Sequence, residues 1–268
     1  MNTTPTRLFL AYLYALLLIL GFSLVPAVAQ GAGNDIGVWI PWWADEAGAE
    51  SAERNIDEID VIYPFVYEVD MLGFLVNRTD FEAEHWEDLF AEARDERVDI
   101  IPTVMWFDGD EIHEVLSDRR TRERHIDEIV EMVEDGDFDG VNIDYEDKHA
   151  ETIDTFSRFL EGLRDELPRR TELTCTVEAR MAPERRWRPD RLPETIEYAN
   201  DYRAINRHCD VIEIMAYDQQ RADLQLNDQR RGVPYAPVAD TEWVEHVLEF
   251  ALEDFDHDKV VLGVPTYG

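Results

Sequence analysis

Short apolar runs alternate along the chain with longer stretches in which apolar residues recur every three or four positions. That alternation predicts repeated strand–helix units. Strands are expected over residues 36–40, 61–66, 100–106, 138–145, 173–179, 211–217 and 260–264, and helices over 46–55, 81–94, 111–133, 153–167, 193–206 and 241–255. Phe81, Leu89, Phe90 and Ala93 share one helical face, as do Ile126, Ile129, Val130 and Val133 in the second of two pieces within 111–133. Gly136 and Pro168 are placed to stop helices, and Thr241 to cap one. Residues 218–240, rich in Gln, Asp, Arg and Pro, form an irregular segment of the length usually reserved for function. Strands that alternate with helices imply a parallel sheet, here a TIM (β/α)8-type barrel. Seven strands are counted before Gly268, where closure needs eight. The barrel is therefore expected to end after strand seven in this chain, with the chain a fragment, or the eighth strand absent or supplied elsewhere.

The N-terminal stretch breaks this pattern. Arg7 precedes an apolar run over 8–25, and Ala27-Val28-Ala29 follows as a cleavage site. Residues 1–29 are expected to be a signal peptide or, because the run nears the ~20 residues that span a bilayer, an N-terminal membrane anchor. Either exports residues 30–268, expected as one monomeric domain that is secreted or held at the cell envelope. The charge balance changes the picture further: 60 acids against 25 bases give a formal charge of −35, and Lys148 and Lys259 are the only lysines. Such a surface excludes nucleic acid and anionic membranes as partners, leaving the uncleaved leader as the sole membrane contact. Self-repulsion of this size predicts a halophilic protein, since at ~1 M salt the screening length is only ~3 Å. Cys175 and Cys209, in or beside neighbouring strands, are expected as buried thiols with a disulfide as the alternative, and no cysteine or histidine spacing suggests a metal.

Candidate chemistry concentrates in Phe138-Asp139-Gly140-Val141-Asn142-Ile143-Asp144-Tyr145-Glu146. On a strand Asn142, Asp144 and Glu146 share one face while Val141, Ile143 and Tyr145 share the other. Acids raised at the C-terminal end of a barrel strand mark an active site. The same residues also satisfy a calcium loop from Asp135 to Glu146, with acids at positions 1, 3 and 5, Gly at 6 and Glu at 12. Against calcium stand Asn142 at the eighth place, the lack of a second loop, and the period of two where a helix should begin. Glu178, Arg180 and Glu213 are expected as ion pairs at the barrel mouth or interior, with sugar contact left open.

The segment from Phe138 to Glu146, together with Met215-Ala216-Tyr217-Asp218, Leu262-Gly263-Val264-Pro265-Thr266-Tyr267-Gly268 and Ile62-Tyr63-Pro64-Phe65-Val66-Tyr67-Glu68, resembles glycoside hydrolase family 18, the chitinase family. The wording is closer to its spore-cortex and peptidoglycan-type branch. Asp139, Asp144 and Glu146 match that family's D-x-x-D-x-D-x-E, with Asn142 in the second acid's place. The resemblance implies retaining, substrate-assisted hydrolysis of β-1,4 bonds next to N-acetylglucosamine-type residues, without a cofactor. It implies Glu146 as acid and base, Asp144 as orienter of the sugar's acetamido group and Tyr217 as donor to its oxygen. Asp139 joins that catalytic set, and Asn142, Met215, Asp218, Trp106 and Tyr267 are expected to contact a polysaccharide or oligosaccharide. Strand three lacks the S-x-G-G run of classical chitinases, which points away from crystalline chitin. A non-catalytic lectin of the same fold is the alternative, although such members usually lack the terminal Glu; a calcium-loop protein is the third reading.

Overall fold

The computed structural model describes residues 36–230 and 235–267, so the expected leader and Gly268 of the last motif lie outside the described residues. Each apolar run becomes a strand of one sheet: β1 (Gly37–Pro41), β2 (Val61–Val69), β5 (Thr103–Trp106), β6 (Gly140–Tyr145), β7 (Glu172–Glu178), β8 (Val211–Met215) and β9 (Val260–Gly263). They lie side by side in that order, every neighbouring pair parallel. This is the stave order of a β/α barrel, a curled sheet of seven strands with β1 and β9 at its ends.

The third predicted strand is interrupted. Pro102 has no N–H to give a ladder, and the run divides into β4 (Asp99–Ile100) and β5. A short hairpin was not legible in the pattern: β3 (Leu75–Asn77) folds back antiparallel on β2. Its turn places Gly73 at φ +84, where a side chain would be strained, and Asp70 Oδ1 accepts from the amides of Leu72 and Phe74.

The crossovers are α1 (Asp45–Glu53), α2 (Glu84–Glu96), α3 (Gly109–Ser117), α4 (Arg119–Asp135), α5 (Ile153–Glu166), α6 (Pro183–Arg186), α7 (Tyr202–His208), α8 (Leu224–Gln229) and α9 (Thr241–Ala251). The helix expected over 193–206 is replaced by α7, because Asp201 accepts from the amides of Arg203 and Ala204 and starts the helix later. The cap of α9 is Asp240, not Thr241: its carboxylate accepts from Glu242 N. Gly136 ends α4 in a right-handed conformation, and the left-handed residue that turns the chain is Asp137. No helix among the described residues is long and apolar enough to cross a membrane.

The two cysteines correct an expectation. Cys175 on β7 and Cys209 just before the neighbouring β8 form a disulfide with their Cα atoms 6.0 Å apart, within the span such a bond allows. Parallel neighbours bring the residues together, which the sequence spacing alone does not show.

Candidate active site

β6 positions the site because both of its faces are buried for different reasons. Val141, Ile143 and Tyr145 turn outward into the helix layer, where the Tyr145 ring stacks on Phe159 of α5. Asn142, fully buried, and Asp144, 5% exposed, turn inward. Glu146 follows on the same face, half-buried, with its amide still bonded to Trp106 O at 2.9 Å. The calcium-loop reading does not fit, since a strand runs through Gly140–Tyr145 where that loop would pass into its second helix.

Above the strand ends opens a cleft of about 430 Å³. Glu146, Glu178, Met215, Tyr217 and Asp218 line it, with Trp187, Tyr198 and Trp243 adding aromatic surface. Gly263 allows this packing. A Cβ there would come within 2.9 Å of Ile214 O and 3.1 Å of the Tyr217 ring, so only glycine lets β9 approach so closely. Tyr267 is exposed beside this wall, its hydroxyl donating to Asp218 Oδ1 at 2.9 Å and its ring edge-on to Tyr217.

The electrostatics favour a proton retained on the pair Asp144 and Glu146. Burial pushes Asp144 well above the usual carboxylate range, and neighbouring Glu146 adds to the effect. Burial raises Glu146 as well, reinforced by Glu178 and Asp147. Lys148 works against both. It is buried, donates to Tyr145 O and lies 4.7 Å from the Phe156 ring centroid. Two close carboxyls cannot both ionise cheaply in such surroundings, so they titrate as a pair. One oxygen of Asp144, Oδ1, is buried with no hydrogen-bond partner among the described residues. Burial also raises Tyr217, which keeps its hydroxyl proton and remains a donor.

Of the expected site residues, Glu146, Met215, Tyr217 and Asp218 meet at the cleft with Asp144 beneath them. Three are placed elsewhere. Asp139 stands at the opposite end of β6, roughly 20 Å along the strand from Glu146 at ~3.3 Å per residue, where its carboxylate caps Ile100 N. Trp106 is 2% exposed and points outward against His125 and Tyr145, its indole N–H donating to Glu111. Asn142 lies below the cleft floor and bonds to Glu213 and Thr176 rather than facing a ligand. The expected ion pairs are also absent among the described residues. Glu178 accepts from Asn200, Arg180 stacks over Tyr198 and Tyr202, and Glu213 bonds to neutral donors. Trp187, Tyr198, Trp243 and Lys148 were not foreseen. The run of arginines around Trp187 was the available signal for the first of these.

The profile of Glycosyl hydrolases family 18 matches residues 61–268, and the chain belongs to this family. Among curated proteins it is similar to the glycosylase YvbX of Bacillus subtilis (strain 168), 26% identical over 165 residues, which is 60% of this chain and 43% of that protein. It is also similar to YdhD of the same strain, which carries the name of a sporulation-specific glycosylase. That match is 30% identical over 163 residues, 60% of this chain and 34% of the relative. The chain thus matches less than half the length of these curated relatives. Among solved structures it superimposes on a class V chitinase from Pseudomonas fluorescens Pf-5 with TM-score 0.74 at 20% identity, covering 88% of this chain and 69% of the other. The spore cortex-lytic enzyme SleL of Bacillus cereus gives TM-score 0.64 at 18% identity, covering 86% and 50%. Both share the barrel.

Proposed function

We propose that the protein hydrolyses β-1,4 bonds next to N-acetylated hexosamines with retention of configuration, using the sugar's own acetamido oxygen as nucleophile. The observation that carries this reading is the trio at the cleft floor. Glu146 is held toward its protonated form, Asp144 offers a buried unpartnered oxygen, and Tyr217 keeps a donor hydroxyl. Glu146 donates its proton to the leaving glycosidic oxygen as the acetamido oxygen attacks the anomeric carbon. Asp144 accepts the acetamido N–H and balances the positive oxazolinium ion, while Tyr217 holds the attacking oxygen. Glu146, now ionised, takes a proton from water, which opens the ring and restores the acid.

Carboxylate-bearing glycan, as in peptidoglycan, is favoured over neutral chitin. Arg186 lines the cleft and makes no hydrogen bond or ion pair with another described residue, in a chain whose net charge is −35. The apolar run over 8–25 followed by Ala27-Val28-Ala29 favours action outside the cell membrane.

Release of a fluorescent aglycone from N-acetylglucosamine di- and trimers at molar salt tests the reaction. Glu146→Gln is expected to lower turnover by about 10²–10⁴-fold with binding retained. Equal turnover in the variant would refute the assigned acid. Binding without any turnover in the wild type would establish the lectin instead.

A further inference from the structure

The barrel interior below Asp144 holds a carboxyl that the reaction above does not use. Glu213 on β8 is 3% exposed and points across β7 toward β6. Its Oε2 accepts from Asn142 Nδ2 at 2.9 Å and lies 3.1 Å from Thr176 Oγ1, which also reaches Asn142 Oδ1 at 2.9 Å. The remaining amide proton of Asn142 is directed at Thr103 Oγ1, 3.4 Å away on β5. The groups facing Glu213 are therefore Tyr63 from β2, Asn142 and Asp144 from β6, Glu172 and Thr176 from β7, and Tyr217 just beyond β8. From β9 its register neighbour is Val261. No cation among the described residues pairs with it.

Asn142 occupies the place where the strand pattern of this family carries an acid, and the side chain it grips is an acid. The amide on β6 and the carboxyl on β8 are joined by a hydrogen bond across the barrel interior. We propose that Glu213 is a positioning residue for the site, placing from β8 an interior carboxyl against Asn142, two residues below Asp144 on the same face of β6, and acting from there on the Asp144–Glu146 pair. This rests on the hydrolase reading above only for its kinetic consequence. An ionised carboxylate beneath Asp144 makes loss of the next proton harder for the acids above it. Burial pushes Glu213 itself up to about 7, so its charge develops near neutrality, where its effect on Asp144 would hold the last proton on the Asp144–Glu146 pair into the alkaline range.

The test is an exchange. Glu213→Gln removes the charge and keeps the shape. The double variant Asn142→Asp with Glu213→Gln restores the same carboxyl–amide pair with the acid moved back to β6. In the single variant the alkaline limb of the kcat–pH profile is expected about one unit lower, a roughly tenfold loss of kcat on that limb, with KM little changed. The exchange variant is expected to recover the wild-type limb. Equal melting temperatures at pH 5, below Glu213's own ionisation, check that all three chains fold alike. An alkaline limb unmoved by Glu213→Gln, or not recovered by the exchange, would overturn the proposal.

A second readout does not depend on turnover. In protein labelled with ¹³C at the aspartate side-chain carboxyl, with Asp144→Asn for assignment, the Asp144 midpoint should fall in Glu213→Gln and return in the exchange variant. An immobile Asp144 midpoint overturns the proposal even if the enzyme is inactive on every sugar tried. A moving midpoint in an inactive protein would keep the proposal and sink the hydrolase reading alone.

Discussion

On its outer side β6 sets Tyr145 among Phe156, Phe159, His125 and Trp106, whereas its inner side buries Asp144 and sets Asn142 among Thr103, Thr176 and Glu213. Both sides are almost fully buried, but they are stabilised by different physics. The outer face gains from removing large apolar surface from water, and burial keeps its imidazole and its phenol neutral. His125 Nδ1–H donates to Gly73 O at 2.7 Å, so Nε2 is the acceptor for the Tyr145 hydroxyl. The inner face hides carboxyls with neutral hydrogen-bond partners, an arrangement that costs stability whenever they ionise. One strand thus carries a stabilising face and a functional face, and its alternation keeps them apart.

The comparison breaks most plainly if the outer face is not what holds the strand. Phe159→Ala removes the ring that stacks on both His125 and Tyr145 and should cost about 3–5 kcal/mol in urea unfolding. The pH dependence of any remaining activity should not change, because no group at the cleft is touched. A loss below about 1 kcal/mol would mean that the outer layer repacks freely.

The two faces should also respond to pH in opposite directions. Burial lowers His125 from its ordinary 6.5 to about 4, so stability is fully present above 6.5 and is lost as pH falls through 4. Burial raises Glu213 from 4.5 to about 7, so stability is fully present below 4.5 and is lost as pH rises through 7. Each displacement corresponds to about 3 kcal/mol. The two windows overlap between pH 4.5 and 6.5 with opposite slopes, so the unfolding free energy should fall at both ends by less than about 1 kcal/mol, and each slope is exposed when the other group is removed. Glu213→Gln is expected to flatten only the alkaline side and His125→Gln only the acid side. If Glu213→Gln flattens the acid side instead, the inner carboxyl is not the group that ionises late.

How much of this was legible in the sequence follows the same division. The outer face announces itself: Val141, Ile143 and Tyr145 alternate with polar residues, and Phe156 and Phe159 recur at helical spacing. Seven strands and most crossovers could be placed from such periods alone. The upper part of the inner face was legible too, since Asp144, Glu146 and Tyr217 sit at strand ends in recognisable motifs. What periodicity cannot supply is the contact across β7. Asn142 and Glu213 are 71 residues apart, and only the shared register of β6, β7 and β8 brings the amide to the carboxyl. The same limit hid the pairing of Cys175 with Cys209. It also misplaced Trp106, because facing outward or inward at a strand end depends on one residue of register. The arginine-rich wall near Trp187 lies on a segment of short helices and turns, where period carries little information.

Salt should separate the surface from both faces of β6. The formal charge of −35 is spread over mostly exposed acids, whose mutual repulsion is screened over about 10 Å at 0.1 M salt and about 3 Å at 1 M. The melting temperature at pH 7 is therefore expected to rise between dilute and molar salt. His125 and Glu213 are shielded from solvent ions by the protein around them, and their neighbours are in direct contact. The acid and alkaline losses assigned to them should then keep their pH midpoints to within a few tenths of a unit while the whole stability curve moves up. Titration of unfolding free energy at both salt levels measures this. If the alkaline midpoint drops by a full unit in molar salt, mobile ions reach the carboxyl, and the inner face of β6 is wetter than the hydrogen bonds of Asn142 and Thr176 imply.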